Sequence, residues 1–153
     1  MTKIIDTPRT EVRGSNSVYH VWFSPRRRKA ALQGDIAGAA ADALRAIARR
    51  RGIHILECET YFDHAHLLLQ LPENATLPQA MRHLKGASAR YLFQTFPELK
   101  LDIGHDHFWQ RGYGARAVGP GQLKTVRAYI RAHRPETEPR SSLRGAATSL
   151  PAT

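Results

Sequence analysis

Two periods alternate along this chain, one of two residues and one of about 3.6, and they divide it into elements. The run Ser17 to Phe23 (SVYHVWF) is rich in β-branched and aromatic residues and predicts a strand that ends at Ser24-Pro25. From Asp35 to about Arg51, Ile36, Ala40, Ala43, Leu44 and Ile47 recur at helical spacing, with Asp42, Arg45, Arg49 and Arg50 elsewhere on the cylinder. Asp35 is the expected cap of this helix and Gly52 its stop. Ile53 to Tyr61 and His64 to Leu71 read as two strands separated only by Phe62-Asp63, too little chain for a crossover, so they should pair antiparallel.

Thr76-Leu77-Pro78-Gln79 has the Thr-x-x-Gln form of a capping box and opens a second helix. Its buried side is expected to carry Leu77, Ala80, Met81, Leu84, Ala87, Tyr91 and Leu92, and Pro97 closes it. Phe108 to Val118 reads as a fourth strand made irregular by Gly112 and Gly114. After Gly119-Pro120-Gly121, a last helix from about Gln122 to His133 shows a stripe of Leu123, Val126 and Ile130. The order strand, helix, strand, strand, helix, strand, helix predicts an α+β fold of ferredoxin-like or RRM-like type. Its mostly antiparallel four-stranded sheet would carry helices on one face, with the C-terminal helix in addition. Residues 1–14 are expected to be an extension, 15–133 the folded domain, and 134–153, rich in Pro, Ser, Thr and Ala, a disordered basic tail.

Length and composition narrow the class. With 153 residues the chain suits one domain, and 42% hydrophobic with 24% charged residues argues against wholesale disorder. No apolar run approaches the roughly 18 residues of a membrane span. The single cysteine, Cys58, cannot form an internal bridge and, inside a strand, reads as a small buried apolar residue. Nothing near Met1 has the form of a secretory leader, so a cytoplasmic location is expected. The balance of 23 Lys+Arg against 13 Asp+Glu, a formal net charge of +10, points to a polyanionic partner.

Candidate chemistry lies in two places. Alternation along a strand puts His64 and His66 on the same face, where two imidazoles can share one divalent cation. Two hydrogen-bonded surface histidines would give the same spacing, as His105-Asp106-His107 does in a loop. On the last helix Gln122, Thr125, Tyr129 and His133 form a polar strip, with Tyr129 and His133 one turn apart. A phenol and a third ligand could thus reach one site, although a half-buried tyrosine and a dipole-favouring terminal histidine are the plainer alternative. His20, His54 and His83 lack partners at ligand spacing and are expected to be structural. Of the other tyrosines, Tyr19 and Tyr61 lie in strands, Tyr91 on a buried helical side and Tyr113 between glycines.

The string Phe62-Asp63-His64-Ala65-His66-Leu67-Leu68-Leu69, the segment Leu84-Lys85-Gly86-Ala87-Ser88-Ala89-Arg90 and the ending Tyr129-Ile130-x-x-His133 resemble the single-tyrosine HUH transposases of small insertion sequences. This is the IS200-like family, with its palindrome-associated relatives, and the likeness runs in order from about Ser15 to His133. The resemblance implies an enzyme that cuts and rejoins single-stranded DNA through a covalent 5′-phosphotyrosine. Tyr129 would be the nucleophile, with a divalent metal, Mg or Mn, on His64 and His66. A phenol is mostly protonated at neutral pH, its ordinary pKa being about 10, so metal activation of the phosphate makes chemical sense. No nucleotide-binding P-loop is needed for a reaction that conserves the phosphoester.

Two departures stand out. His133 occupies the place of a family glutamine ligand, which would favour softer metals, and Phe62 stands where a proline is common. The resemblance further implies hairpin-forming DNA ends as partner and a homodimer that exchanges its C-terminal helix, for which Gly119-Pro120-Gly121 is a plausible hinge. Charge and position nominate Arg26, Arg27, Arg28, Lys29, Lys85, Arg90, Arg111 and Tyr113 as DNA contacts. Two other readings keep the fold and change the role: a DNA-binding relative that is inactive or serves its host, and a three-histidine metal hydrolase acting through water.

Overall fold

A computed structural model describes residues 17–132. The elements are β1 (Ser17–Phe23), α1 (Gly34–Arg50), β2 (His54–Thr60), β3 (Ala65–Leu71), α2 (Leu77–Thr95), α3 (Leu99–Ile103), β4 (Gly114–Val118) and α4 (Leu123–Ala132), with short 3-10 turns at Arg26–Arg28 and Pro120–Gln122. The four strands form one sheet in the order β2-β3-β1-β4, antiparallel throughout. β1 is central, pairing Tyr19 with Leu69 on one side and with Ala117 on the other. The split βαββαβ layout is the α+β arrangement expected from the order of elements.

The two faces of this sheet are unlike. One carries Tyr19, Val21, Phe23, Leu67, Leu69 and Leu71, which join the buried residues of α1 and α2 in a single large core. Ser88 is a buried polar residue beside that core, and its hydroxyl accepts a hydrogen bond at 2.9 Å from the buried Trp109 indole N–H. The other face has a smaller apolar cluster, Leu68, Val118 and Ile130, with Val18, Leu56, Leu123 and Val126 packed around it, and it also buries His20, Glu57 and Glu59. α4 therefore covers the face opposite α1 and α2 rather than joining them. Its predicted stripe of Leu123, Val126 and Ile130 is the stripe that docks.

Local departures from the sequence expectation have local causes. The position before α1 is Gln33, with no side-chain cap, and Asp35 sits inside the first turn where it still favours the helix dipole. Thr76 caps α2 as expected, accepting from the Gln79 amide. Tyr91 is exposed, because the buried side of α2 drifts to Ser88, Leu92 and Phe93. β4 is shorter than predicted: Phe108 and Trp109 are core residues, and Gly112 turns the chain at φ +85° before pairing begins at Gly114. Gly114 faces Trp22 across the ladder, and a Cβ there would collide with the indole. α3, with Leu99 and Ile103 buried, was not foreseen.

Candidate active site and basic groove

β3 begins at Ala65, so His64 stands at the lip of the strand and His66 is its first outward residue on the α4 face. Their rings lie 5.0 Å apart, nearly perpendicular. His64 Nδ1 is 2.8 Å from Asp63 Oδ1, and Asp63 Oδ2 accepts from Arg28 at 3.2 Å. Burial raises the Asp63 pKa, but the His64 hydrogen bond and the Arg28 charge outweigh it, holding the carboxyl below its ordinary range. The basic turn after β1 is thereby wired to the histidine motif. Arg27 and Arg28 both take positive φ, 54° and 52°, a conformation that costs a non-glycine residue energy.

His66 has a partner of its own. Its Nδ1 lies 2.9 Å from His20 Nε2, with the two rings stacked at 5.1 Å. His20, expected to be structural, is buried, and its ring also packs against Trp22 at 4.9 Å. Sequence spacing could not pair residues 46 positions apart. The signal was the alternation in β1, which puts His20 in phase with Trp22, combined with a β1–β3 register that lays His20 diagonal to His66.

Tyr129, half exposed on α4, presents its ring edge-on to His20 at 6.3 Å. The phenol and the two motif histidines thus share one sheet face within a single chain. α4 is held there by a feature the sequence reading missed: Glu57 accepts from Arg127 Nε at 2.9 Å and Arg131 Nε at 2.9 Å. Arg127 also donates to the Leu56 carbonyl. Burial raises the Glu57 pKa, but hydrogen bonds from Arg131 and Arg127 prevail and keep it low. The irregularity between Ile55 and Glu57 shifts the phase by one residue, so that Glu57 pairs with Leu68 and points toward α4. His133 lies outside the described residues.

The remaining candidates divide into two places. Lys85, Arg90, Arg111 and Tyr113 converge on a groove of about 770 Å³ between α2 and the 105–113 loop, whose walls also include Arg82, Phe93 and Trp109. None of the histidine-face residues lines it. Lys85 donates to the carbonyls of Gln110 at 2.9 Å and Gly112 at 2.6 Å, and burial pushes its pKa down to about 8. Lys85 thus ties the loop to α2, and Arg82, Arg90, Lys100 and Arg111 are the exposed cations of the groove wall. Away from this groove, Arg26 donates to the Ile103 carbonyl, while Arg27 and Lys29 are exposed. The His105-Asp106-His107 triplet lies in a loop on the groove wall, as its irregular surroundings suggested.

A four-stranded antiparallel α+β domain with histidines and a tyrosine on one face and a basic groove elsewhere suits chemistry on a polyanion. Comparison with known proteins gives the family: the model described as "Transposase IS200 like" matches residues 14–133, and the chain belongs to that family of transposases. Transposases for insertion sequence element IS200 from Salmonella typhimurium and Salmonella typhi are each 34% identical over 116 residues, 76% of this chain and 76% of theirs. The ISDra2 transposase TnpA of Deinococcus radiodurans is 32% identical over 112 residues, covering 73% of this chain and 80% of its own. Among solved structures, a putative transposase from Deinococcus radiodurans matches with TM-score 0.65 and 28% identity, over 85% of this chain and 98% of its own. A REP-associated tyrosine transposase bound to a REP hairpin shares the fold at TM-score 0.57 and 16% identity, over 85% of this chain and 68% of its own.

Proposed function

We propose that this transposase cleaves and rejoins single-stranded DNA with Tyr129 as nucleophile. The phenolic oxygen attacks the scissile phosphorus, the P–O3′ bond breaks, and the proton given up by the phenol is balanced by the one gained at the departing 3′-oxygen. The DNA 5′ end is left on the tyrosine, and a 3′-OH can reverse the step to join a strand without a nucleotide cofactor. The observation that carries this reading is the convergence of His64, His66 and the Tyr129 ring on one face, bridged by His20.

The donor chemistry fits a divalent ion. Each motif histidine has Nδ1 engaged, by Asp63 or by His20, which is how proteins aim the opposite nitrogen at a metal. Among the described residues no cluster of three His, Cys, Asp or Glu is placed to hold an ion, so His64 and His66 would share it with phosphate oxygens, water or His133. Such an ion, Mg or Mn, supplies Lewis-acid polarisation of the phosphate. Trp22 and the buried His20 wall the site from the sheet side.

Hairpin-forming ends of a mobile element are the substrate we infer, engaged through Arg90, Arg111 and Tyr113 in the groove and through Arg27 and Lys29 beside the active site. A homodimer exchanging α4 about Gly119–Gly121 is the assembly we propose, and exchange would have to open the Glu57 clasp. No helix among the described residues is long and apolar enough to cross a membrane.

The test is direct. Protein is incubated with Mn2+ and single-stranded DNA carrying palindromes from the flanks of the gene, then denatured. A DNA–protein adduct should form and should vanish in Tyr129→Phe. Cleavage without an adduct, surviving Tyr129→Phe but not His64→Ala, would instead mark a water-using hydrolase. Binding without cleavage would mark an inactive relative.

A further inference from the structure

We propose that His20 is a positioning residue that sets the tautomer of His66, so that His66 offers Nε2 to the divalent ion. The inference rests on the metal role proposed for His66. The contact between His20 Nε2 and His66 Nδ1 is 2.9 Å, short enough for one shared proton, and both nitrogens belong to rings stacked within 25° of parallel. Only two neutral arrangements satisfy it. If His20 donates, His66 carries its own proton on Nε2 and that nitrogen has no lone pair for a metal. If His66 donates from Nδ1, its Nε2 lone pair is exposed to the ion, and His20 carries its proton on Nδ1.

The buried setting makes the choice consequential. His20 is only 3% exposed, between the Trp22 ring at 4.9 Å and the edge of Tyr129 at 6.3 Å. It is therefore a rigid acceptor, held on the central strand, aimed at one atom of a residue two positions along the facing strand. His64 receives the equivalent service from Asp63, whose Oδ1 lies 2.8 Å from its Nδ1. The two motif histidines are thus oriented by different chemistry: a carboxylate at the lip of β3 and a neutral imidazole deeper in the sheet.

The experiment measures metal binding without DNA, by Mn2+ titration followed by electron paramagnetic resonance, in wild type, His20→Leu and His20→Gln. Circular dichroism establishes that each is folded. Loss of His20 as acceptor should weaken Mn2+ binding by about 10–100-fold in His20→Leu. His20→Gln, whose amide oxygen can accept from His66 Nδ1, should recover most of the loss. Nitrogen hyperfine couplings should report the same number of bound imidazoles in wild type and His20→Gln. Folded His20→Leu with wild-type affinity would overturn the inference, as would a His20→Gln no better than His20→Leu, which means packing alone. One fewer bound imidazole in His20→Gln would make His20 a ligand instead, and a wild type that binds no Mn2+ would remove the inference with the metal itself. Failure of the transposase reading looks different: Mn2+ affinity would fall in His20→Leu and recover in His20→Gln as expected, while wild-type protein would form no DNA adduct.

Discussion

The two faces of the sheet spend their residues differently. Beneath α1 and α2, side chains of Tyr19, Val21, Phe23, Leu67, Leu69 and Leu71 meet a continuous apolar layer. Beneath α4, three buried apolar residues are supplemented by a carboxylate and two arginines, and the space left over holds His20, His66 and Tyr129. The first face supplies stability through area, which is non-directional and tolerant of small shifts. The second uses directional contacts, which hold ring positions at the cost of a thinner apolar anchor. The main apolar core and the proposed chemistry thus lie on opposite surfaces of the same four strands.

The largest expected effect would come from breaking the first face. Leu44→Ala, removing a fully buried side chain of α1, should cost about 2–5 kcal/mol of global stability, read by denaturant unfolding. A loss below 1 kcal/mol would mean that the α1 layer is not the main source of stability.

Glu57→Gln addresses the other face. It leaves Arg127 and Arg131 without their shared counter-charge and should loosen α4 by about 1–2 kcal/mol, between the values for exposed and buried pairs. Hydrogen exchange of α4 amides should rise far more than that of β1 or β3, and uniform change across the sheet would refute a local clasp. The same clasp predicts a pH dependence. Because the folded Glu57 pKa lies below its ordinary value of 4.5, its contribution is complete above 4.5 and is lost as pH falls through the lower folded value. α4 should therefore loosen in acid before the α1–α2 core does.

The smallest effect sharpens the separation of chemistry from binding. Arg111→Ala, in the groove and away from the histidines, should weaken single-stranded DNA binding and reduce its salt slope by about 1, leaving Mn2+ affinity unchanged. An unaltered salt slope in a binding titration would remove Arg111 from the phosphate path.

What could be read in advance depended on the range of the interaction. The Thr76 cap and the stripes of α1 and α4 are encoded within one or two turns, and the sequence expectation for them agrees with the structure. The stripe on α4 does not say which sheet face it will meet, so its position opposite α1 and α2 was not legible. Tyr91 was misplaced for a related reason: its seat at the border of the buried side was settled by Leu92 and Phe93. The His64/His66 pair was legible from alternation, but its supports were not. His20 reaches His66 through strand register, and Glu57 reaches Arg127 and Arg131 across 70 and 74 residues after an irregular step in β2.

The central strand β1 feeds both surfaces at once, with Tyr19, Val21 and Phe23 on one side and His20 and Trp22 on the other. A one-residue insertion or deletion within it would exchange the two sets, sending imidazole and indole into the oily layer and three large apolar groups toward the motif histidines. Drift by length change is thus closed to this segment, and its seven residues form a reading frame in three dimensions, open to substitution but not to slippage.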